Sequence, residues 1–137
     1  MKLGVAEIIE NASKKRSKED KINYLRENQS MPLKQVLQYC FDPNIKWLLP
    51  EGKVPYTPQS LVDQESMFYS EARRLYLFVE GGHSTLKEWK RQQLFVELLE
   101  ALAPADAELL CSIKDKKMPY KSINYPLVKE AFPEILP

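Results

Sequence analysis

Apolar residues recur along this chain at three- and four-residue intervals, the period of a helix that turns one face inward. Residues 2–11 place Leu3, Ile8 and Ile9, with Val5 and Ala6, on one broad apolar face. The polar run SKKRSKED then breaks the pattern. Ser17, with Asp20 three residues on, has the spacing of a helix N-terminal cap. Ile22 and Leu25 continue that amphipathic helix to about Asn28. Pro32 suits the first turn of a third helix, where its missing N–H would have no partner in any case. That helix carries Leu33, Val36, Leu37 and Cys40. Asp42 and Pro43 read as cap and first turn of a short fourth helix with Ile45, Trp47, Leu48 and Leu49.

Residues 50–58, PEGKVPYTP, hold three prolines and a glycine. Proline removes backbone donors and restricts the residue before it, so this Pro-rich segment is an extended connection. The next helix is predicted from about Asp63 to Phe78, ended by Gly81-Gly82. Thr85 and Glu88 have capping-box spacing. They open a predicted helix to about Leu102, with Leu86, Trp89, Val96, Leu98, Leu99 and Leu102 inward. Pro104 starts a further helix through Leu109, Leu110 and Ile113, and Asn124 with Pro126 a last one through Phe132. Strand-like alternation hardly appears. The expectation is an all-α fold: residues 1–137 as a single compact bundle of about seven to eight irregularly crossing helices.

Composition adds limits. The 137 residues are 44% apolar and 28% charged, ordinary usage for one globular domain. The formal net charge is only +1, so any nucleic-acid site must be local rather than a wholly basic surface. No apolar run approaches the ~20 residues that span a bilayer. Glu7 and Glu10 interrupt the N-terminal apolar stretch, which argues against a secretory signal and for the cytoplasm. Cys40 and Cys111 lie inside apolar helical patterns and read as buried thiols of a reducing compartment. His83 is the single histidine and has no cysteine at zinc-site spacing. Gly81-Gly82-His83-Ser84 lacks the spacing and the Lys-Ser/Thr of a phosphate loop, and no G-x-S-x-G occurs. The chain reads as non-enzymatic, with no metal and no cofactor.

Positive charge concentrates in two connections. One carries Lys14, Lys15, Arg16, Lys18 and Lys21, the other Lys114, Lys116, Lys117 and Lys121. A lysine-rich loop leading into a helix start offers cations and unpaired amides to a phosphate, and Ser122 and Asn124 add neutral hydrogen bonds. By charge alone, such loops are also ordinary solvated connections.

The order of these blocks resembles the N-terminal helical DNA-binding domain of ATP-dependent DNA ligases, especially those of tailed phages. IIENASKKRSKEDKINYLREN (residues 8–28) resembles that domain's helix, small-polar turn and following helix, with Lys21, Leu25 and Asn28 at its lysine, leucine and asparagine places. PLKQVLQYCFDPNIKWLL resembles its third helix and the aromatic segment after it. AELLCSIKDKKMPYKSINYPLVKEAFPEIL resembles its leucine-rich helix, basic loop, short helix and aromatic-proline end. Ser122 falls near the ligases' small polar loop residue. Pro119, Tyr120 and Lys121 stand where the ligase loop carries a glycine.

The resemblance implies phosphate contacts from Lys14, Lys15, Arg16, Lys18, Lys114, Lys116, Lys117, Lys121 and Ser122, with duplex or nicked DNA as partner. A ligase also needs a Lys-x-Asp-Gly motif, and the chain has no Asp-Gly dipeptide. The implied protein is thus a free-standing relative without catalysis, phage-encoded and acting in host cytoplasm as an accessory to replication or repair. The alternative is a protein-interaction module, engaging a sliding clamp or a host protein, with Val54 and Tyr56 of segment 50–58 as its grip.

Overall fold

A computed structural model describes residues 3–58, 64 and 67–137. Seven α-helices run in chain order through the described residues: α1 (Val5–Ser13), α2 (Lys18–Glu27), α3 (Met31–Phe41), α4 (Met67–Glu71), α5 (Glu88–Ala101), α6 (Pro104–Lys114) and α7 (Tyr125–Ala131). A 3-10 stretch, Ala72–Phe78, continues α4, and a 3-10 turn, Pro133–Ile135, follows α7. No sheet forms among the described residues; Trp47 and Val79 make one isolated antiparallel bridge. The expected all-α bundle is what the chain builds.

Helix starts follow local chemistry. Ser17 Oγ accepts from Asp20 N at 3.1 Å, Ser30 Oγ from Leu33 N at 3.3 Å, and Asn124 Oδ1 from Leu127 N at 3.1 Å. Each satisfies one amide that the first helical turn leaves without a partner. Helix α1 takes its cap from elsewhere: Asp106 of α6, 1% exposed, accepts from Ala6 N at 2.8 Å. Gly4 leaves room for that approach, since a Cβ there would stand 3.2 Å from the Asp106 carboxylate.

Helix α6 packs on α1, α3 and α5, so it lies at the centre. Leu110 and Ile113 of α6 share the core with Ile9, Leu33, Leu37, Phe95 and Leu99, all at 0–1% exposure. Helix α2 packs between α1 and α7. An aromatic row links the α3 side to α5: Trp47 meets Tyr39 and Phe95 edge-on at 5.8 and 6.4 Å, and Phe95 meets Phe78 at 5.1 Å.

Four local expectations are corrected. Residues 42–49 form no helix. The Asp42 carboxylate accepts from Asn44 N at 2.9 Å, a turn that closes before a helix can propagate. Leu48 N then donates to Phe78 O and Glu80 N to Lys46 O, both at 2.8 Å, which holds the segment extended. The predicted 63–78 helix is α only to Glu71 and 3-10 thereafter; its expected start at Asp63 lies outside the described residues. Thr85 does not cap α5; its hydroxyl sits 3.4 Å from His83 Nδ1, and α5 begins after Lys87 with no side-chain cap. Trp89 is not inward but 64% exposed, while Arg91 and Phe95 of the same helix are buried.

Segment 50–58 is a strap. Its backbone is tied to α5 and to the end of α6 by Thr57 N to Glu100 Oε2 at 2.9 Å and Gly52 N to Asp115 Oδ2 at 3.2 Å. Val54 and Tyr56, the expected grip for a partner, are partly buried against the core.

Candidate nucleic-acid interface

The first basic connection is a tight turn between α1 and α2. Lys14 N and Lys15 N donate to Asn11 O and Ala12 O at 3.2 and 3.1 Å, so the α1 backbone overruns into the turn. Lys21 Nζ reaches back to the Lys15 carbonyl at 2.8 Å, and the Lys15 ammonium lies 4.8 Å from the centre of the Tyr24 ring. The turn is thus stitched from within, while Lys14, Lys15, Arg16 and Lys18 stay exposed.

The second connection begins with an unusual helix end. Lys116 has φ +60, the left-handed region that glycine ordinarily supplies. Lys116 N donates to Ile113 O at 2.8 Å and Lys117 N to Ser112 O at 2.9 Å, which satisfies carbonyls of the last turn of α6. Ile123, 1% exposed, anchors the loop before α7, and Tyr120 packs partly buried beneath it.

Tertiary packing brings the two connections together. Ser122 Oγ donates to the Ser13 carbonyl at 3.2 Å, across 109 positions of sequence. Lys18, Lys21, Ser122, Asn124, Pro126 and Leu127 line one shallow groove of about 340 Å³ at this junction. Lys21 and Asn124 join it although neither was among the nine predicted contacts.

The nine predicted residues divide. Arg16, Lys117 and Lys121 are exposed, and their side chains make no hydrogen bond or ion pair among the described residues. Lys14 pairs loosely with Glu10 at 3.4 Å, and Lys18 pairs with Glu130 at 2.8 Å. Lys114 and Lys116 correct the expectation. Lys114 is 3% exposed; its ammonium donates to Pro50 O at 2.6 Å and to Asp115 Oδ1 at 2.7 Å. Lys116 Nζ donates to Asp42 O at 2.6 Å, and burial lowers its pKa, with Cys40 and Asp42 opposing that shift. Both fasten the 42–50 stretch to the end of α6. Lys114 is buried in doing so and Lys116 half-buried, and the Asp42 carbonyl that Lys116 meets also accepts from Ile45 N at 3.1 Å.

Sequence reasoning also missed Glu130, whose carboxyl is held below the usual range by the hydrogen bond and charge of Lys18, with Arg26 adding to it. No periodicity could reveal it, because the pair exists only through α2 packing on α7. A second surface was missed: Trp89 with Leu49, Val54, Pro55 and Val96 lines a groove of about 310 Å³ beside the strap. The signal lay in Gln92 and Gln93, which follow Trp89 at i+3 and i+4 and mark that face as outward.

Among the described residues, no group of three or more histidines, cysteines and carboxylates is placed to hold a metal, and no helix is long and apolar enough to cross a membrane. Residues 8–120 match a family of unknown function, DUF6433. The chain belongs to that family. No curated protein and no solved structure matches it. The DUF6433 match takes in the α1–α2 turn and the start of the second basic connection, through Tyr120. Lys121, Ser122 and α7 with Glu130 lie beyond it.

Proposed function

We propose that this DUF6433 chain is a non-enzymatic, sequence-tolerant DNA-binding module, related to the N-terminal domain of phage DNA ligases and accessory to DNA replication or repair. The observation that supports this most is the junction of the two basic connections. A single hydrogen bond, Ser122 Oγ to Ser13 O, joins loops that lie 109 residues apart. Lys14, Lys15, Arg16, Lys18, Lys117 and Lys121 then project from adjacent loops, and the side-chain NH2 of Asn124 adds a neutral donor between them, while the Ser122 hydroxyl proton is spent on joining the loops. Contacts of this kind hold phosphates and orient a protein on a duplex; they carry no base sequence. The contact set leaves out Lys114 and Lys116.

Fluorescence anisotropy with labelled intact, nicked and single-stranded DNA tests the reading. If about four phosphates are neutralised, the affinity falls roughly a hundredfold between about 50 and 200 mM salt. Replacing Arg16, Lys117 and Lys121 together by glutamine flattens that slope and leaves helicity unchanged. Absence of binding to all three DNAs at low salt refutes the proposal.

A second reading, a protein-interaction module for a sliding clamp or a host protein, is favoured by one observation. Trp89 is 64% exposed beside the apolar groove of the strap. Solvent-exposed tryptophan at a groove is the residue type that dominates binding energy at protein interfaces. A partner that survives nuclease treatment and is lost on Trp89→Ala distinguishes this reading from DNA binding.

A further inference from the structure

Two lysines enter the groove between the basic loops, and a carboxylate holds one of them. Lys18 Nζ lies 2.8 Å from Glu130 Oε2, whereas Lys21 Nζ is turned to the Lys15 carbonyl. Glu130 is delivered by α7, whose end is fixed by Arg26: its guanidinium donates to the Glu130 and Ala131 carbonyls at 2.8 and 3.0 Å. The Lys18–Glu130 pair is open to water, its side chains 56% and 57% exposed. A pair so exposed contributes little to stability. Its main effect is on the groove, where it cancels the charge of Lys18.

A carboxylate and a phosphodiester present the same thing to an ammonium, one negative charge over two oxygens. We propose that Glu130 is an autoinhibitory carboxylate: it occupies Lys18 in the free protein, and a DNA phosphate must displace it. The proposal rests on the DNA-binding reading above and adds a regulatory device to the same site. The closed pair lowers the affinity for any single phosphate, so a firm grip requires several contacts at once. That favours long duplex over free nucleotides and small phosphate anions.

The test compares the full-length wild type with Glu130→Gln, Lys18→Gln, the double variant, and Glu134→Gln. Glu134 also faces solvent near this end of the molecule, but it pairs with Lys34 at 3.8 Å and not with the groove-lining Lys18. Anisotropy on a short duplex at low salt is expected to show Glu130→Gln binding roughly three- to tenfold tighter than wild type, the worth of about one freed phosphate contact. Glu134→Gln is expected to match wild type. The gain from Glu130→Gln should vanish once Lys18 is replaced. If the gain survives in the double variant, or Glu134→Gln gives it equally, the carboxylate acts only through the general field and the proposal fails while the DNA-binding reading stands. If neither wild type nor Glu130→Gln binds at all, the DNA-binding reading itself falls and takes this one with it.

Discussion

Replacing Lys114 by methionine separates an interior tie from a phosphate contact. Methionine keeps the length and the apolar stem of lysine but removes the ammonium. In the wild type that ammonium, on a side chain with 0% exposure, holds Asp115 Oδ1 at 2.7 Å and the Pro50 carbonyl at 2.6 Å. Breaking a buried ion pair by removing one partner costs about 3–5 kcal/mol. Asp115 is 18% exposed and also accepts from Gly52 N, so water can reach it and the cost falls toward about 2–4 kcal/mol. At about 4 °C per kcal/mol for a chain of this size, the midpoint of thermal unfolding should drop by roughly 8–16 °C. The strap should also loosen, with faster hydrogen exchange at Gly52. DNA binding by the folded variant should keep the wild-type salt slope. A variant whose stability stays within about 0.5 kcal/mol of wild type while its slope flattens by about 0.9, the signature of one lost phosphate contact, would place Lys114 on the DNA and not in the interior.

Arg91 makes a comparable clasp without a carboxylate: its guanidinium donates to the carbonyls of Leu77, His83 and Leu86 at 3.0, 3.2 and 3.3 Å. Arg91→Ala should cost about 2–4 kcal/mol in urea unfolding, and Arg91→Lys should recover only part of it, because an ammonium lacks the planar fork. Gly82→Ala should destabilise more than Gly81→Ala, measured as the difference in thermal midpoint. A Cβ at Gly82 would stand 1.7 Å from the Tyr76 carbonyl oxygen, whereas Gly81 has open space and loses only its φ of +87. An alanine held in that left-handed region costs about 1–2 kcal/mol. With a thiol reagent near neutral pH, half-buried Cys111 should react before Cys40, which is 4% exposed and whose pKa burial pushes up to about 11. Both rates should rise with pH as the thiolate fraction grows, and a Cys40 that reacts first would contradict the packing of α3.

Features of this fold that close within a few residues were legible along the chain. The all-α class follows from periodicity. The starts of α2, α3, α6 and α7 follow from Ser17, Pro32, Pro104 and Asn124, because a cap or an N-terminal proline acts on amides of the same turn. Whatever depended on a distant backbone carbonyl or a packed neighbour emerged only when the helices packed. Lys114 reaches Pro50 across 64 positions and Lys116 reaches Asp42 across 74, so two lysines of a polar loop turned inward. Carbonyls are identical at every residue, and a lysine aimed at one leaves no pattern in the chain. Trp47 was drawn out of a predicted helix by a bridge to Val79, and Trp89 stands outside while Arg91 and Phe95 of the same helix are buried. The candidate interface divides in the same way: its lysines were legible as charge, but their meeting through Ser122 and Ser13, and the masking of Lys18 by Glu130, required α2 and α7 to pack side by side.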